Sequence, residues 1–81
     1  MKKIKLPYKH FSNRLNERYG GLTIRFKDYR NLHKTDIAHV ATDGKTEIVL
    51  IRIKDTMVLC AKRGKVFITA LPFDNFQTYM K

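Results

Sequence analysis

The chain of 81 residues carries 17 Lys and Arg against seven Asp and Glu, a formal charge of +10, with 43% hydrophobic and 30% charged residues. That length holds one domain, read as residues 1–81, with a small core, and the composition excludes a disordered tail. So large an excess of one sign repels itself, and the usual compensation is a polyanion: RNA or DNA first, an acidic protein next, a membrane surface last.

MKKIKLPYK has the charge of a secretory leader without an apolar core of the length such a leader needs, and no apolar run nears the ~20 residues of a membrane span, so a cytoplasmic protein is expected. KIKL reads as a short strand, and Pro7 stops it and can open a helix. In YKHFSNRLNERY the apolar residues Tyr8, Phe11, Leu15 and Tyr19 fall at helical spacing, and Gly20-Gly21 ends the helix because glycine enters the left-handed region without penalty. Phe11 and Leu15 are predicted to face the core. His10, Arg14 and Arg18 stand four apart, in one row about 100° round from them, at the rim between core and solvent. Like charges at this spacing repel, so an ordinary solvated helix gains nothing from the row.

In LTIRFKDYRNLHK, Phe26, Tyr29 and Leu32 recur at three-residue steps, which predicts a second, shorter helix from about Arg25 to His33, with Thr23 as a candidate cap and His33 serving the helix dipole. From Asp36 the period becomes two. DIAHVAT, Asp43-Gly44 and KTEIVLIRI form a predicted hairpin. Lys54-Asp55-Thr56 is the next turn, MVLCAK the third strand, Arg63-Gly64 another tight turn and KVFITAL the fourth strand, closed by Pro72. FDNFQTYMK is expected to add a last helical turn that packs Phe73 and Phe76 on the sheet. The fold class is α+β: two N-terminal helices, then a four-stranded antiparallel meander. Ile48 and Leu50 alternate with Val49, Ile51 and Ile53, so the sheet should be buried on one side and half covered on the other.

Chemistry is narrowed by what is scarce. Cys60 is a single cysteine in an apolar run and reads as a small buried thiol. His10, His33 and His39 do not cluster at ligand spacing, and the carboxylates show no paired pattern, so neither a metal nor another cofactor is expected. Metal-free RNA cleavage asks for less. The substrate brings its own 2′-hydroxyl nucleophile; a base, an acid and cations on the phosphate complete the set. His10 can carry a proton and Arg14, one turn on, can clamp a phosphate, with Arg18 extending the track. Against this, basic residues at spacing four arise easily in so basic a chain. Lys62, Arg63 and Lys65 bracket a hairpin turn and serve equally as solvated charge or as a phosphate grip. His39 reads as structural or packed, and Phe67, between Val66 and Ile68, as a candidate for the open face, where a base could stack, although the aromatic pattern of an RRM sheet is missing.

H-x-x-x-R-x-x-x-R on a first helix with a glycine stop (His10, Arg14 and Arg18 in KHFSNRLNERYGG), a second helix and a sheet ending in Ile68-Thr69 together resemble the barnase–EndoU–colicin–RelE group of small metal-independent ribonucleases, most closely its compact phage- and plasmid-borne toxins. The resemblance implies a toxin-like endoribonuclease, a hydrolase of RNA that leaves a 2′,3′-cyclic phosphate and answers to an antitoxin. It makes His10 a general acid or base, Arg14 the phosphate clamp and Thr69 a hydrogen-bond donor to phosphate or base. RelE-type members often carry a catalytic Tyr or His near the C-terminus, a place that Tyr79 could fill. Two alternatives stand beside it. One is a non-catalytic nucleic-acid-binding or regulatory protein, phage-encoded in one version, that uses the first helix and the Lys62/Arg63/Lys65 turn. The other is a protein that docks an acidic host factor.

Overall fold

The computed structural model describes residues 7–78 in full and the backbone of Tyr79; the expected KIKL strand and the placement of the Tyr79 side chain fall outside that range. Helix α1 (Tyr8–Arg18) leads to a short helix α2 (Phe26–Arg30) and a 3-10 turn (Leu32–Lys34). Strands β1 (Ala38–Asp43), β2 (Thr46–Ile53), β3 (Thr56–Arg63) and β4 (Val66–Leu71) follow as an antiparallel sheet in sequence order. A 3-10 turn (Phe73–Asn75) and helix α3 (Phe76–Tyr79) complete the described chain. This is the α+β meander that the change of period predicts.

Helix α1 buries Phe11 and Leu15 completely, each worth about 1.5–3 kcal/mol over exposure. Its end is closed by glycine at positive φ, Gly20 at 63° and Gly21 at 85°, with the Gly21 N–H donating to the Asn16 carbonyl at 2.9 Å, the long bond of a Schellman stop. The second helix is shorter than its three-residue pattern suggests. Asn31 leaves helical geometry (φ −101°, ψ 8°) and its side chain donates to the Lys27 carbonyl. Asparagine offers the backbone such a local alternative and so favours a stop. Thr23 does not cap this helix, whose N-cap is Arg25; the Thr23 hydroxyl instead accepts from Lys54 Nζ.

Each hairpin turns on two residues. Gly44-Lys45 and Gly64-Lys65 have positive φ at the glycine alone, the pattern of a II′ turn, whereas Lys54-Asp55 takes positive φ at both positions (50° and 67°), as a I′ turn requires. Strand β2 divides as its alternation predicts. Val49, Ile51 and Ile53 join Phe11, Leu15, Tyr29 and Leu32 in the main core, while Ile48 and Leu50 meet Leu59, Ala61, Leu71 and Phe76 on the other face. Phe73 stacks on Phe76 but stays 45% exposed, so Phe76 alone of the pair packs on the sheet.

Phe67 does not lie on the open face; it is 1% exposed, in the main core against Phe11. The cause is an extra residue. Ala61 pairs with Thr69 while its neighbour Lys62 pairs with Phe67, which leaves Ile68 as a bulge. A bulge reverses the alternation beyond it. Phe67 and Ala70, three apart, therefore both face the helices.

Candidate nucleic-acid interface

The row on α1 is not straight. At 3.6 residues per turn, a step of four advances about 40° round the axis, so His10, Arg14 and Arg18 spread over about 80°. His10 faces solvent, Arg14 is intermediate, and Arg18 reaches the sheet, where its Nη1 donates to the Ala70 carbonyl at 2.8 Å. Arg14 meets Glu17 at 2.9 Å. The repulsion inferred from the spacing is thus relieved twice, by a carboxylate one turn on and by a carbonyl of edge strand β4. Each contact has a different consequence. The Arg14–Glu17 pair is exposed and worth little, so Arg14 stays available to a phosphate. Arg18 occupies a carbonyl on an edge that would otherwise offer itself to another strand.

Two tyrosines finish the join between helices and sheet. Leu59 and Leu71 are register partners at the open end of β3 and β4. Between them, the Tyr19 hydroxyl accepts the Leu59 N–H at 2.9 Å and donates to the Leu71 carbonyl at 2.8 Å. Burial pushes this hydroxyl's pKa up, against the Leu59 N–H, which favours the phenolate. The Tyr29 hydroxyl donates to the Phe67 carbonyl at 2.5 Å, and burial pushes its pKa up to about 12.

The remaining sequence candidates separate. Lys62 is held by Glu47 at 3.1 Å and donates to the Gly64 carbonyl at 2.8 Å, and Arg63 Nε donates to the Thr46 hydroxyl, so both brace their turn; Lys65 stays exposed at its tip. The Phe11–Phe67 contact sets the N-terminal half of α1 beside the strand that leaves this turn. Thr69 pairs with Ala61, whose side chain belongs to the cluster on the far face of the sheet; paired residues point the same way, so Thr69 stands on the side away from α1 and is not brought to His10. His39 is exposed on β1 and bonds the Thr42 hydroxyl through Nε2 at 2.8 Å; it is not packed. His33 Nδ1 lies 3.1 Å from the Arg30 carbonyl at the end of α2, where the helix-dipole reading put it. No other described histidine stands with His10, so a base and an acid on opposite sides of one phosphate are not assembled from the described histidines.

Comparison with protein-family models, with curated proteins and with solved structures returned no match.

One feature escaped the sequence pattern. Phe26 shares the three-residue step of Tyr29 and Leu32, yet it is 45% exposed where they are buried. Its ring touches Tyr8 edge-on at 5.2 Å and Tyr29 at 6.3 Å, and the Arg30 guanidinium lies over it at 5.9 Å. Its chain neighbours Arg25 and Lys27 are exposed, and of these only Arg25 has a carboxylate partner among the described residues, Asp28. The signal lay in the flanking residues: RFKDYR places a cation on either side of this aromatic and another at i+4. Among the described residues no three His, Cys, Asp or Glu side chains gather closely enough to hold a metal ion, and no helix is long and apolar enough to cross a membrane.

Proposed function

We propose that this protein binds nucleic acid through the solvent face of its helical layer, with RNA as the first candidate. The observation that carries the reading is the charge of that layer: Lys9, His10, Arg14, Lys27, Arg30 and Lys34 stand at or near the surface against Glu17 and Asp28. Cations in such excess attract phosphates over several ångströms by their summed field, and each contact then releases counterions from the nucleic acid, which adds affinity and makes it fall with salt. Lys65, at the tip of the turn before β4, extends the same surface.

RNA cleavage is the stronger form of this reading. It retains His10 as proton carrier and Arg14 as clamp, one turn apart on α1. Thr69 stands on the other face of the sheet and Arg18 is engaged with Ala70, so the likeness to small ribonucleases extends over fewer residues than its motif. Binding asks for none of these and is the conclusion drawn. Docking of an acidic protein would use the same cations and is distinguished by experiment.

Incubation with total RNA in excess EDTA, beside His10→Ala, tests both forms. RNA that shifts in a gel and stays intact fits binding alone. Discrete fragments ending in 2′,3′-cyclic phosphate, absent with the variant, would extend the reading to cleavage. RNA that neither shifts nor breaks, with DNA behaving the same, would contradict it.

A further inference from the structure

We infer that Phe26 and Arg30 form a stacking site for an unpaired base, so that the nucleic acid recognised on the helical layer is single-stranded. The inference rests on the proposed function and adds to it the strandedness of the ligand and the residues that select it.

Phe73 is as exposed as Phe26, at 45%, but Phe26 alone of the two has a guanidinium over its ring, Arg30, with Arg25 and Lys27 on either side of it in the chain. Tyr29 on the same helix is 3% exposed and Leu32, in the 3-10 turn that follows, 4%, so the apolar residues that share the step of Phe26 are buried and Phe26 is not. Phe26 sits at the first position of that helix, where its ring rests against Tyr8 and Tyr29 and projects outward. The contacts at 5.2 and 6.3 Å hold the ring in place without covering it. A pre-positioned ring spares a ligand the cost of ordering it.

Arg30 supplies the second wall. Its guanidinium lies 5.9 Å from the Phe26 centroid. A base held between ring and guanidinium needs two stacking spacings, or about 7 Å at roughly 3.4 Å each, so the exposed arginine has to withdraw by only about 1 Å. Bases stack well on both aromatic rings and guanidinium planes, and stacking tolerates any base because every base has a π-face. Lys27, next to Phe26 in the chain, exposed and without a carboxylate partner among the described residues, is available to a flanking phosphate. A duplex offers phosphates but hides its base faces, so the site distinguishes an unpaired strand from a paired one.

The chain contains no tryptophan, which makes Phe26→Trp a single reporter at the site. The test titrates wild type, Phe26→Trp and Phe26→Ala with a labelled 12-nucleotide single-stranded RNA of mixed sequence and with the matching duplex, at low salt in EDTA. Anisotropy reads binding and indole emission reads stacking. The expected result is single-strand binding by wild type and Phe26→Trp, with the indole quenched at saturation. Stacking contributes about 1–3 kcal/mol per base, so Phe26→Ala should bind about 5- to 150-fold more weakly, at an unchanged dependence on salt. An indole whose emission stays constant while the strand saturates the protein would overturn the site and leave nucleic-acid binding standing, as would equal affinity of wild type and Phe26→Ala. A wild type that binds neither strand nor duplex would remove the proposed function and this inference with it. The quenching arm is read on a variant that keeps an aromatic at position 26, so any loss of stability in Phe26→Ala does not decide the outcome.

Discussion

At the scale of single residues, side chains that look alike in the sequence do different work. Arg14 and Arg18 have the same spacing from their neighbours, but the rotation of the helix leaves one with Glu17 as its partner and carries the other to the Ala70 carbonyl. Arg18→Ala therefore removes a charge-assisted bond at the sheet edge and should lower stability by about 1–2 kcal/mol, while Arg14→Ala should change it by less than about 1 kcal/mol. On nucleic acid the order reverses: Arg14→Ala lowers the salt dependence of binding by about one contact. Urea unfolding and a salt titration on the two variants check both halves. Tyr19→Phe deletes the hydroxyl between Leu59 and Leu71 and strands two backbone groups, which should cost about 1–3 kcal/mol in the same unfolding assay.

Tyr29 adds a pH dependence of definite sign. Its pKa is about 12 in the folded protein and about 10 in an unfolded chain. The unfolded state thus sheds its proton first as pH rises, and the stability held by the neutral hydroxyl is complete below about pH 10 and is lost between there and about pH 12. Tyr19, raised in the same direction, adds to the fall. Unfolding free energies measured from pH 9 to 12 should decline, and less steeply in Tyr29→Phe; a flat profile in the wild type would contradict the burial of these hydroxyls.

At the scale of elements, the periodicities of the sequence carry most of the fold. A period of 3.6 over residues 8–19 and of two beyond Asp36 is enough for helix α1, the four strands and their order, because each hairpin is short and local. Three features are not visible in that way. The bulge at Ile68 inserts one residue into an otherwise regular alternation, and nothing in KVFITAL marks it, so Phe67 changes face. Helix α2 ends at an asparagine side-chain bond that competes with three well-spaced apolar residues. The Lys54-Asp55 turn takes a primed geometry without glycine. This last feature invites a substitution: Asp55 holds φ at 67°, a conformation costing an L-residue roughly 1 kcal/mol that glycine does not incur. Asp55→Gly should raise stability by up to about 1 kcal/mol, read as a higher urea midpoint at unchanged slope.

At the scale of the whole molecule, charge has to be explained together with fold. The sheet's far face carries an apolar cluster that Phe76 partly covers, and the main core lies between sheet and helices; the helical layer and the turn tip at Lys65 are the surface proposed for a polyanion, with Lys45, Arg52, Lys54 and Arg63 exposed elsewhere on the sheet and its turns. The sequence showed the net charge and the α1 basic row; it did not show that one member of that row serves the sheet, nor that Phe26 stands open among cations of the second helix. Both depend on where a helix rests on the sheet, which periodicity alone does not specify. The most direct test of the account is the equilibrium affinity of the wild-type protein for a fluorescent single-stranded RNA, measured in EDTA from 50 to 300 mM salt. Binding through the helical layer predicts a steep linear fall of log K with log salt, about 0.7 per phosphate contact over several contacts. An affinity that ignores salt, or no binding at 50 mM, would contradict it.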